Sequence, residues 1–213
     1  MKKISQKIKN MEQDLASHRL IYARQIIDEF VVAMDAIKIH PSFSDVVDKI
    51  LNCKGKIICS GIGKAGLAIK KFSSLLCSFG FSSCFLHPTE AQHGDLGVIQ
   101  NKDILFICSV SGKTREVYEL IALARKINVG CIIGLTSHPD SPIRNKVDIV
   151  VDMGLIQEAG HLRMAPTTSI LTILAITDAL ALVAANEKGL TKEQYSRFHH
   201  SGYLGKKARG EVK

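Results

Sequence analysis

The 213-residue sequence contains no tryptophan, and aromatic residues make up only 6% of it. Its formal net charge is +8, yet no basic stretch is interleaved with aromatic side chains, as a nucleic-acid-binding surface would require. Much of the excess charge lies in the two ends, at residues 2–9 and 206–213. We interpret this charge as solvated chain ends that also favour anionic substrates, and we expect no nucleic-acid partner.

An export signal and a cysteine framework are also lacking. Residues 1–9 have no continuous apolar core of the kind that a signal peptide contains. The six cysteines form no C-x-x-C pair, and Cys59, Cys108 and Cys131 lie in apolar runs, where cysteine behaves as a small buried hydrophobe. These features predict a cytoplasmic protein with reduced thiols.

A membrane span is not expected either. The most apolar segment, residues 170–185, is alanine-rich and is interrupted by two threonines and an aspartate. This composition favours a buried helix at a subunit interface over a helix in lipid. We therefore predict no membrane partner.

What is present is an alternation of strand-like and helix-like segments without internal repeats. Residues 5–39 and 42–51 have helical periodicity and are predicted to form N-terminal helices, assigned to residues 1–53. Residues 54–213 would then form the main domain. Strands are predicted near 56–60, 83–87, 103–109, 130–136 and 148–152, with helices near 64–80, 112–128, 140–146, 166–188 and 191–198. Such alternation indicates an α/β fold with a parallel sheet and helices on both faces.

Two turns that follow predicted strands suit an anionic ligand. The hydroxyl-rich turn S-V-S-G-K-T at 109–114 opens a helix, where free N–H groups and the helix dipole favour phosphate. A serine or threonine N-cap without any ligand would use the same residue types. The turn G-I-G-K-A-G at 61–66 lets the backbone approach a ligand and places Lys64 beside it. This turn is neither a dinucleotide fingerprint, because no acidic residue follows at the required spacing, nor a Walker A loop.

Together with two further segments, these turns identify a family resemblance. The motif H-P-x-E-A-x-H-G-D-L-G lies at 87–97, and A-P-T-T-S lies at 165–169. The four segments occur in the order typical of the sugar isomerase (SIS) domain, and the sequence resembles most closely the bacterial D-arabinose 5-phosphate isomerases. The resemblance extends from about residue 54 to residue 207, where H-H-S-G-Y-L-G-K-K is similar to the family's H-P-G-G-x-L-G-R-K.

The resemblance implies a three-layer α-β-α sandwich of flavodoxin-like type with a five-stranded parallel sheet. It also implies an enzyme that interconverts D-arabinose 5-phosphate and D-ribulose 5-phosphate through an enediol, without a cofactor, as a homo-oligomer that we expect to be a tetramer. Many members continue into a pair of cystathionine-β-synthase-type modules, whereas this chain ends soon after Lys207. We therefore expect any control of activity to act at the catalytic domain or through expression.

Four catalytic positions are carried over from the family. Glu158 is expected to move the carbon-bound proton, and His199 is expected to open the sugar ring. Lys64 would stabilise the oxyanion, while Glu116 would orient Lys64 or share proton transfer. Glu116 could also be a simple first-turn carboxylate that the helix dipole favours. In related isomerases the two catalytic faces can come from different subunits, so His199 could act in a neighbour's site.

Substrate contacts are implied at a larger set of positions. They are Ser60, Gly61, Gly63, His87, Glu90, His93, Ser109, Ser111, Gly112, Thr114 and Thr167. His93 could bind substrate or capture a divalent metal, but the chemistry requires none, and we expect bound metal to be adventitious or inhibitory.

Several departures from the family pattern affect the expected substrate. Lys113 stands where glutamate is common, and Val110 replaces a polar residue. The segment from Glu158 reads E-A-G-H-L-R-M instead of E-A-C-P-L-G-L, so His161 and Arg163 change the rim of the site and could admit a larger anionic ligand. Alternatives are an isomerase or lyase for hexulose 6-phosphate or sedoheptulose 7-phosphate, and a non-catalytic phosphosugar-sensing module.

Overall fold

Five apolar runs form one parallel sheet in the computed structural model, which describes residues 2–212 and the side chains of residues 15–212. The strands are β1 (Ile57–Gly61), β2 (Ser83–Phe85), β3 (Ile104–Cys108), β4 (Cys131–Thr136) and β5 (Ile149–Asp152). Their order across the sheet is β2-β1-β3-β4-β5, and every neighbouring pair is parallel. The central strands β1, β3 and β4 are buried along their whole length, as expected for a sheet covered on both faces.

Eight α-helices connect and cover these strands within the described part of the chain. They are α1 (Lys2–Asp35), α2 (Ser42–Asn52), α3 (Gly63–Ser78), α4 (Pro88–Ala91), α5 (Arg115–Lys126), α6 (Thr168–Glu187), α7 (Lys192–Arg197) and α8 (Gly202–Ala208). Short 3₁₀ helices occur at Asp95–Val98 and Pro142–Asn145.

The sheet separates two hydrophobic cores, one on each face. Strand residues that alternate along β1, β3 and β4 point to opposite sides, as the period of two in a strand requires. On one side they pack against α2, α3 and α6, and Phe72 contacts Phe106 at a ring distance of 5.1 Å. On the other side they pack against α5 and α4, with Leu120 and Leu105 fully buried. The predicted three-layer α-β-α sandwich with five parallel strands is therefore confirmed.

The order of the strands defines where a ligand can bind. The chain moves from β1 outward to β2 and then returns across β1 to β3, so the connections after β1 and β3 leave the sheet toward opposite faces. A crevice opens between the carboxyl ends of two strands at such a switch point. Gly61 and Cys108 are register partners there, so the two turns singled out in the sequence begin on adjacent strands.

Several predicted elements differ in extent from the observed ones. The helix expected at 112–128 begins at Arg115, because Gly112 has a φ of 61° and holds a turn before it. The helix expected at 140–146 is only the 3₁₀ turn Pro142–Asn145, and α8 was not expected at all. Cys59, Cys108 and Cys131 are buried as predicted, and burial raises the pKa of the Cys108 thiol to about 12.

Helix α6 is, among the described residues, the single helix long and apolar enough to cross a membrane by length and composition. More than half of its most apolar window, 56%, is buried inside the fold. It contacts α3, α2 and α1, which is the arrangement of a core helix.

The close approach of α3 to β1 depends on Gly66. A Cβ on this residue would lie 2.5 Å from the Gly61 carbonyl oxygen, which is backbone and cannot rotate away. Alanine normally improves a helix interior by about 0.8–1.0 kcal/mol relative to glycine. Overpacking costs about 1–3 kcal/mol, so we expect Gly66→Ala to lower the free energy of unfolding in urea.

Gly97 provides the matched control, because a Cβ there meets no atom within 4 Å. Gly97→Ala should change the free energy of unfolding by less than about 0.5 kcal/mol. A Gly66→Ala protein as stable as Gly97→Ala would contradict the close-approach argument.

Candidate active site

Two hydrogen bonds to backbone carbonyls of the turn that follows β3 fix its position. Ser137 N–H donates to Val110 O over 3.0 Å, and the Tyr118 hydroxyl donates to Gly112 O over 2.9 Å. Burial raises the pKa of Tyr118, so its hydroxyl remains protonated as a donor. The turn is therefore a fixed loop.

Gly112 is required by this loop for two reasons. Its φ is 61°, in the left-handed region that favours glycine, and a Cβ would overlap the Ser141 hydroxyl at 1.6 Å. Gly112, a predicted substrate contact, thus shapes the loop. Ser111 and Lys113 beside it are exposed.

Helix α5 begins at this loop and presents its amino-terminal end. Thr114 is the N-cap residue, but its side chain makes no capping bond to the helix and instead pairs with the Ser109 hydroxyl over 2.9 Å. Uncapped N–H groups at a helix start bind phosphate well. Glu116 lies half-buried in the first turn of the same helix.

The glycine turn brings Lys64 to the same edge of the sheet. Gly63 has a φ of 60° and starts α3, and Lys64 is the exposed second residue of that helix. Since Gly61 pairs with Cys108, the start of α3 lies one strand away from the Ser109 loop, a spacing of about 4.8 Å between strands.

Two predicted substrate contacts near β2 have different surroundings. The Ser60 hydroxyl is fully buried and donates to Leu86 O over 2.7 Å, so its side chain joins β1 to the segment after β2 and is not available to substrate. A substrate contact at Ser60 stays a prediction, and in this structure it would involve the backbone of Ser60. His87 is exposed at the same edge, and its Nδ1 accepts from Thr89 N–H, which leaves Nε2 open.

Glu90 and His93 lie further along this loop, on the surface. Both are exposed, and His93 N–H donates to Glu90 O over 2.9 Å. Within residues 2–212 no three His, Cys, Asp or Glu side chains gather as a candidate metal centre. The inhibitory metal site at His93 stays a prediction.

Glu158 is held by the amino-terminal end of α6. Its Oε2 accepts from Thr167 N–H over 2.8 Å and from Ser169 N–H over 3.3 Å, with the Thr167 hydroxyl at 3.4 Å. The carboxylate therefore takes the place of a capping side chain on this helix. All three bonds go to Oε2, and among the described residues Oε1 has no hydrogen-bond donor.

The first two residues of α6, Thr168 and Ser169, were not predicted as site residues. Thr168 Oγ1 and Ser169 Oγ are buried and find no hydrogen-bond partner among the described residues. Buried hydroxyls are ordinarily paired, so these two are candidates for contacts with a ligand. The hydroxyl cluster after Pro166 is the sequence feature that points to these two residues, although the predicted substrate contacts include only Thr167 of this cluster.

Lys64 and Glu158 lie at the same end of the molecule because α3 and α6 run parallel. Lys71 near the middle of α3 forms an ion pair with Asp178 near the middle of α6. Beyond the carboxyl ends of both helices, Lys188 Nζ donates to Gly80 O over 2.8 Å. The start of α3, with Lys64, and the capped start of α6 therefore lie at the same end of this helix pair.

His199 lies at the opposite end. Tyr195 of α7 packs on Phe79, which follows the last residue of α3, and His199 stacks on Tyr195 with a ring distance of 4.0 Å. Helix α3 has 16 residues and is therefore about 24 Å long. The fold thus brings Lys64, Glu116 and Glu158 to one edge of the sheet and does not bring His199 of the same chain to them.

The His199 ring nevertheless has a defined orientation. Its Nδ1 lies 3.0 Å from Tyr195 O, and because a carbonyl only accepts, Nδ1 carries the proton. In the neutral ring, Nε2 is then the nitrogen that can accept a proton. Gly205 packs against the backbone of His199, where a Cβ would lie 2.0 Å from His199 O.

Arg163 does not act as a free cation at the rim. Its guanidinium forms an ion pair with Glu29 of α1, with Nη1 2.8 Å from Oε2. The Arg163 charge is thus paired with Glu29, and admission of a larger anionic ligand at the rim formed by His161 and Arg163 stays a prediction.

Comparison with known proteins gives the family. The SIS domain family model matches residues 50–183, which include the sheet, α3, α5 and most of α6. The chain belongs to the SIS domain family. Among solved structures, a Bacteroides fragilis protein described as a "putative phosphosugar isomerase involved in capsule formation" is 37% identical to this SIS chain, with a TM-score of 0.84 over 87% of this chain and 99% of that one.

Two further relatives are informative. An Escherichia coli CFT073 protein solved in complex with arabinose 5-phosphate is 27% identical, with a TM-score of 0.82 over 86% of this chain and 98% of that one. A Haemophilus influenzae protein named "Probable arabinose 5-phosphate isomerase" is 36% identical over 98% of this chain. The SIS chain spans 63% of the length of that relative.

The capping role of Glu158 leads to a stability prediction. Glu158→Ala removes the acceptor for Thr167 N–H and Ser169 N–H, so we expect the free energy of unfolding to fall by about 1 kcal/mol. Glu158→Gln keeps an amide oxygen at this position and should lose less. Gln157→Ala, at an exposed neighbour, is the control. Equal stability of the alanine and wild-type proteins in urea would contradict the cap.

Proposed function

We propose that this protein is an aldose–ketose isomerase that interconverts D-arabinose 5-phosphate and D-ribulose 5-phosphate. The observation that carries the proposal is the position of Glu158, whose carboxylate is fixed at the start of α6 with one oxygen free. This start lies at the end of the molecule that also holds Lys64 and the uncapped start of α5. The relatives named for arabinose 5-phosphate or solved in complex with it support this substrate.

Phosphate binding is assigned to the loop between β3 and α5. The Ser109 and Thr114 hydroxyls pair with each other at the start of α5, and Ser111 is exposed in the same loop. These hydroxyls and the first N–H groups of α5 are the proposed phosphate donors. Lys113 is exposed beside them and adds positive charge. Because the phosphate does not change during isomerisation, these contacts serve binding more than turnover.

The carbon chemistry is assigned to Glu158 and Lys64. In the open-chain aldose, a base removes the proton from C2 to give an enediolate, and return of a proton to C1 gives the ketose. Glu158 Oε1 accepts and returns this proton, while the Lys64 ammonium stabilises the developing oxyanion. Glu116, on α5, orients Lys64 or shares the proton transfer to oxygen.

Ring opening is assigned to His199 of a second subunit. Its Nε2 is a proton acceptor, but about one helix length separates it from Lys64 of its own chain. We therefore propose a homo-oligomer, a tetramer built from dimers, in which the segment carrying α7 and α8 reaches a neighbour's site.

The exposed apolar side chains support this assembly. On α1 they include Leu20, at 73% exposure, and Val32, at 69%. On the carboxyl-terminal segment, Phe198, Tyr203 and Leu204 are each more than half exposed. Apolar surface of this extent is characteristic of subunit interfaces.

We also propose a cytoplasmic location and a role in supplying arabinose 5-phosphate for 3-deoxy-D-manno-octulosonate (Kdo), used in lipopolysaccharide or capsule. The six cysteines are all free thiols, which suits a reducing compartment. The B. fragilis relative described as involved in capsule formation supports the metabolic role.

Glu158→Gln tests the proposed base. An amide cannot accept the C2 proton, so kcat should fall at least about a hundredfold. KM should change little, because the phosphate loop is intact and the amide oxygen can still cap α6. Exchange should be followed by NMR in D₂O with a panel of pentose, hexose and heptose phosphates, with deuterium expected at C2 of the aldose. If the wild-type protein turned over only another sugar phosphate of the panel, that sugar would be the substrate. An active Glu158→Gln protein would show that Glu158 is not the base.

A subunit-mixing experiment tests the shared site. Lys64→Ala and His199→Ala proteins should each be inactive, but a mixed dimer contains one site with both lesions and one with neither, so activity should recover toward half per dimer. Subunit exchange is confirmed by mass spectrometry of tagged mixtures.

The control mixes Lys64→Ala with Glu158→Gln. Both residues lie at the same end of one chain, so no intact site can form and no activity should return. No recovery in the first mixture despite exchange would place His199 in its own chain's site. Recovery in the control would show that Lys64 and Glu158 of one site come from different subunits. An active monomer in light scattering would reject the oligomer.

A further inference from the structure

The loop that joins Glu158 to α6 is fastened to the N-terminal helix α1 by side chains that no motif contains. Glu29 of α1 accepts from Arg163 through both carboxylate oxygens, with Nη1 to Oε2 at 2.8 Å and Nη2 to Oε1 at 2.9 Å. Glu29 Oε2 also accepts from Gly160 N–H over 3.3 Å. Two turns earlier on α1, the Tyr22 hydroxyl accepts from His161 N–H over 3.0 Å. The bidentate ion pair between Arg163 and Glu29 fixes the orientation of the two side chains as well as their distance.

The backbone of Arg163 is held in a conformation that side chains disfavour. Its φ is 52°, and Asn128 is the other non-glycine residue with a positive φ among the described residues. A side chain in the left-handed region is disfavoured sterically and persists where the surroundings over-determine it. Arg163 N–H closes a turn onto Gly160 O over 3.2 Å, and the guanidinium then meets Glu29.

This turn bears directly on Glu158. Arg163 Nη1 lies 3.3 Å from the backbone carbonyl oxygen of Glu158, while the start of α6 holds the carboxylate of the same residue. Glu158 is thus held from two sides, by α6 at its side chain and by α1, through Arg163, at its backbone. The rest of the loop provides little restraint, since Leu162 and Met164 are exposed.

We propose that Glu29 and Arg163 are positioning residues that set the carboxylate of Glu158 for proton transfer, which makes α1 part of the catalytic apparatus. The proposal rests on the proposed function of Glu158 as the base. A displacement of a catalytic group by about 1 Å can cost about a hundredfold in rate, so a contact that never touches substrate can control turnover. The phosphate loop lies on another element and is independent of this pair.

The primary test is Glu29→Gln, which removes the charge but keeps an amide oxygen for Gly160 N–H. We expect kcat to fall about tenfold or more while KM for the phosphosugar stays within about twofold, because only the position of Glu158 is disturbed. Asp28→Asn is the matched control. Asp28 lies beside Glu29 on the same helix and pairs with Arg24 in a solvent-exposed ion pair, so its loss should leave kcat unchanged.

A double-mutant cycle shows whether the two residues act as one unit. Arg163→Gly removes the pair and relieves the positive φ at once, so its kcat should fall without loss of folding. Adding Glu29→Gln to Arg163→Gly should cause no further fall, because the contact is already absent. Arg163→Ala lacks the pair but keeps the unfavourable φ, and it should be less active than Arg163→Gly. Additive losses in the double variant, or unchanged kcat in both single variants, would overturn the proposal.

An activity-independent readout separates this proposal from the proposed function. Glu158 Oε2 accepts from the amides of Thr167 and Ser169, so hydrogen exchange at these two amides reports the position of the carboxylate. Glu29→Gln should speed their exchange several-fold, and Asp28→Asn should not. Unchanged exchange would overturn the positioning role whatever the activity. Faster exchange in a protein whose wild type isomerises no panel sugar would keep the positioning role and reject the proposed function.

Discussion

The parallel packing of α3 against α6 is the constraint on which the site depends. The Lys71–Asp178 ion pair and the Lys188–Gly80 hydrogen bond fix the register of the two helices. Because both helices start at the same end, the residues at their starts lie toward the carboxyl edge of the sheet, where the positive ends of the helix dipoles favour an anion. The same register sends the carboxyl-terminal segment to the far end of the molecule.

The site combines two helix starts that are used differently. The start of α5 has no side-chain cap, so its donors remain for an exogenous anion such as phosphate. The start of α6 is already occupied by the carboxylate of Glu158, so its donors orient a protein group. One structural element, the helix amino terminus, thus has its donors open at α5, where we propose phosphate binding, and used at α6, where they hold the proposed base.

The fold and the edge that carries the site could be predicted from sequence because both rest on local patterns. Apolar runs of strand length, separated by helical periodicity, specify a parallel sheet, and turns after β1 and β3 must lie at its carboxyl edge. The predicted ends of the individual helices were less accurate. The start of α5 depends on the left-handed turn at Gly112, which forms against Ser141 of a distant segment.

Short contiguous motifs already specify the strand–helix alternation, the phosphate-loop hydroxyls and the positions of Lys64, Glu116 and Glu158, so these features can be found in the sequence without coordinates. Which of them meet depends on tertiary packing. That packing buries the Ser60 hydroxyl against Leu86, places His199 about a helix length from Lys64, and pairs Arg163 with Glu29 across 134 positions of sequence. Such contacts arise from the way whole elements pack, and no local pattern encodes a partner that distant.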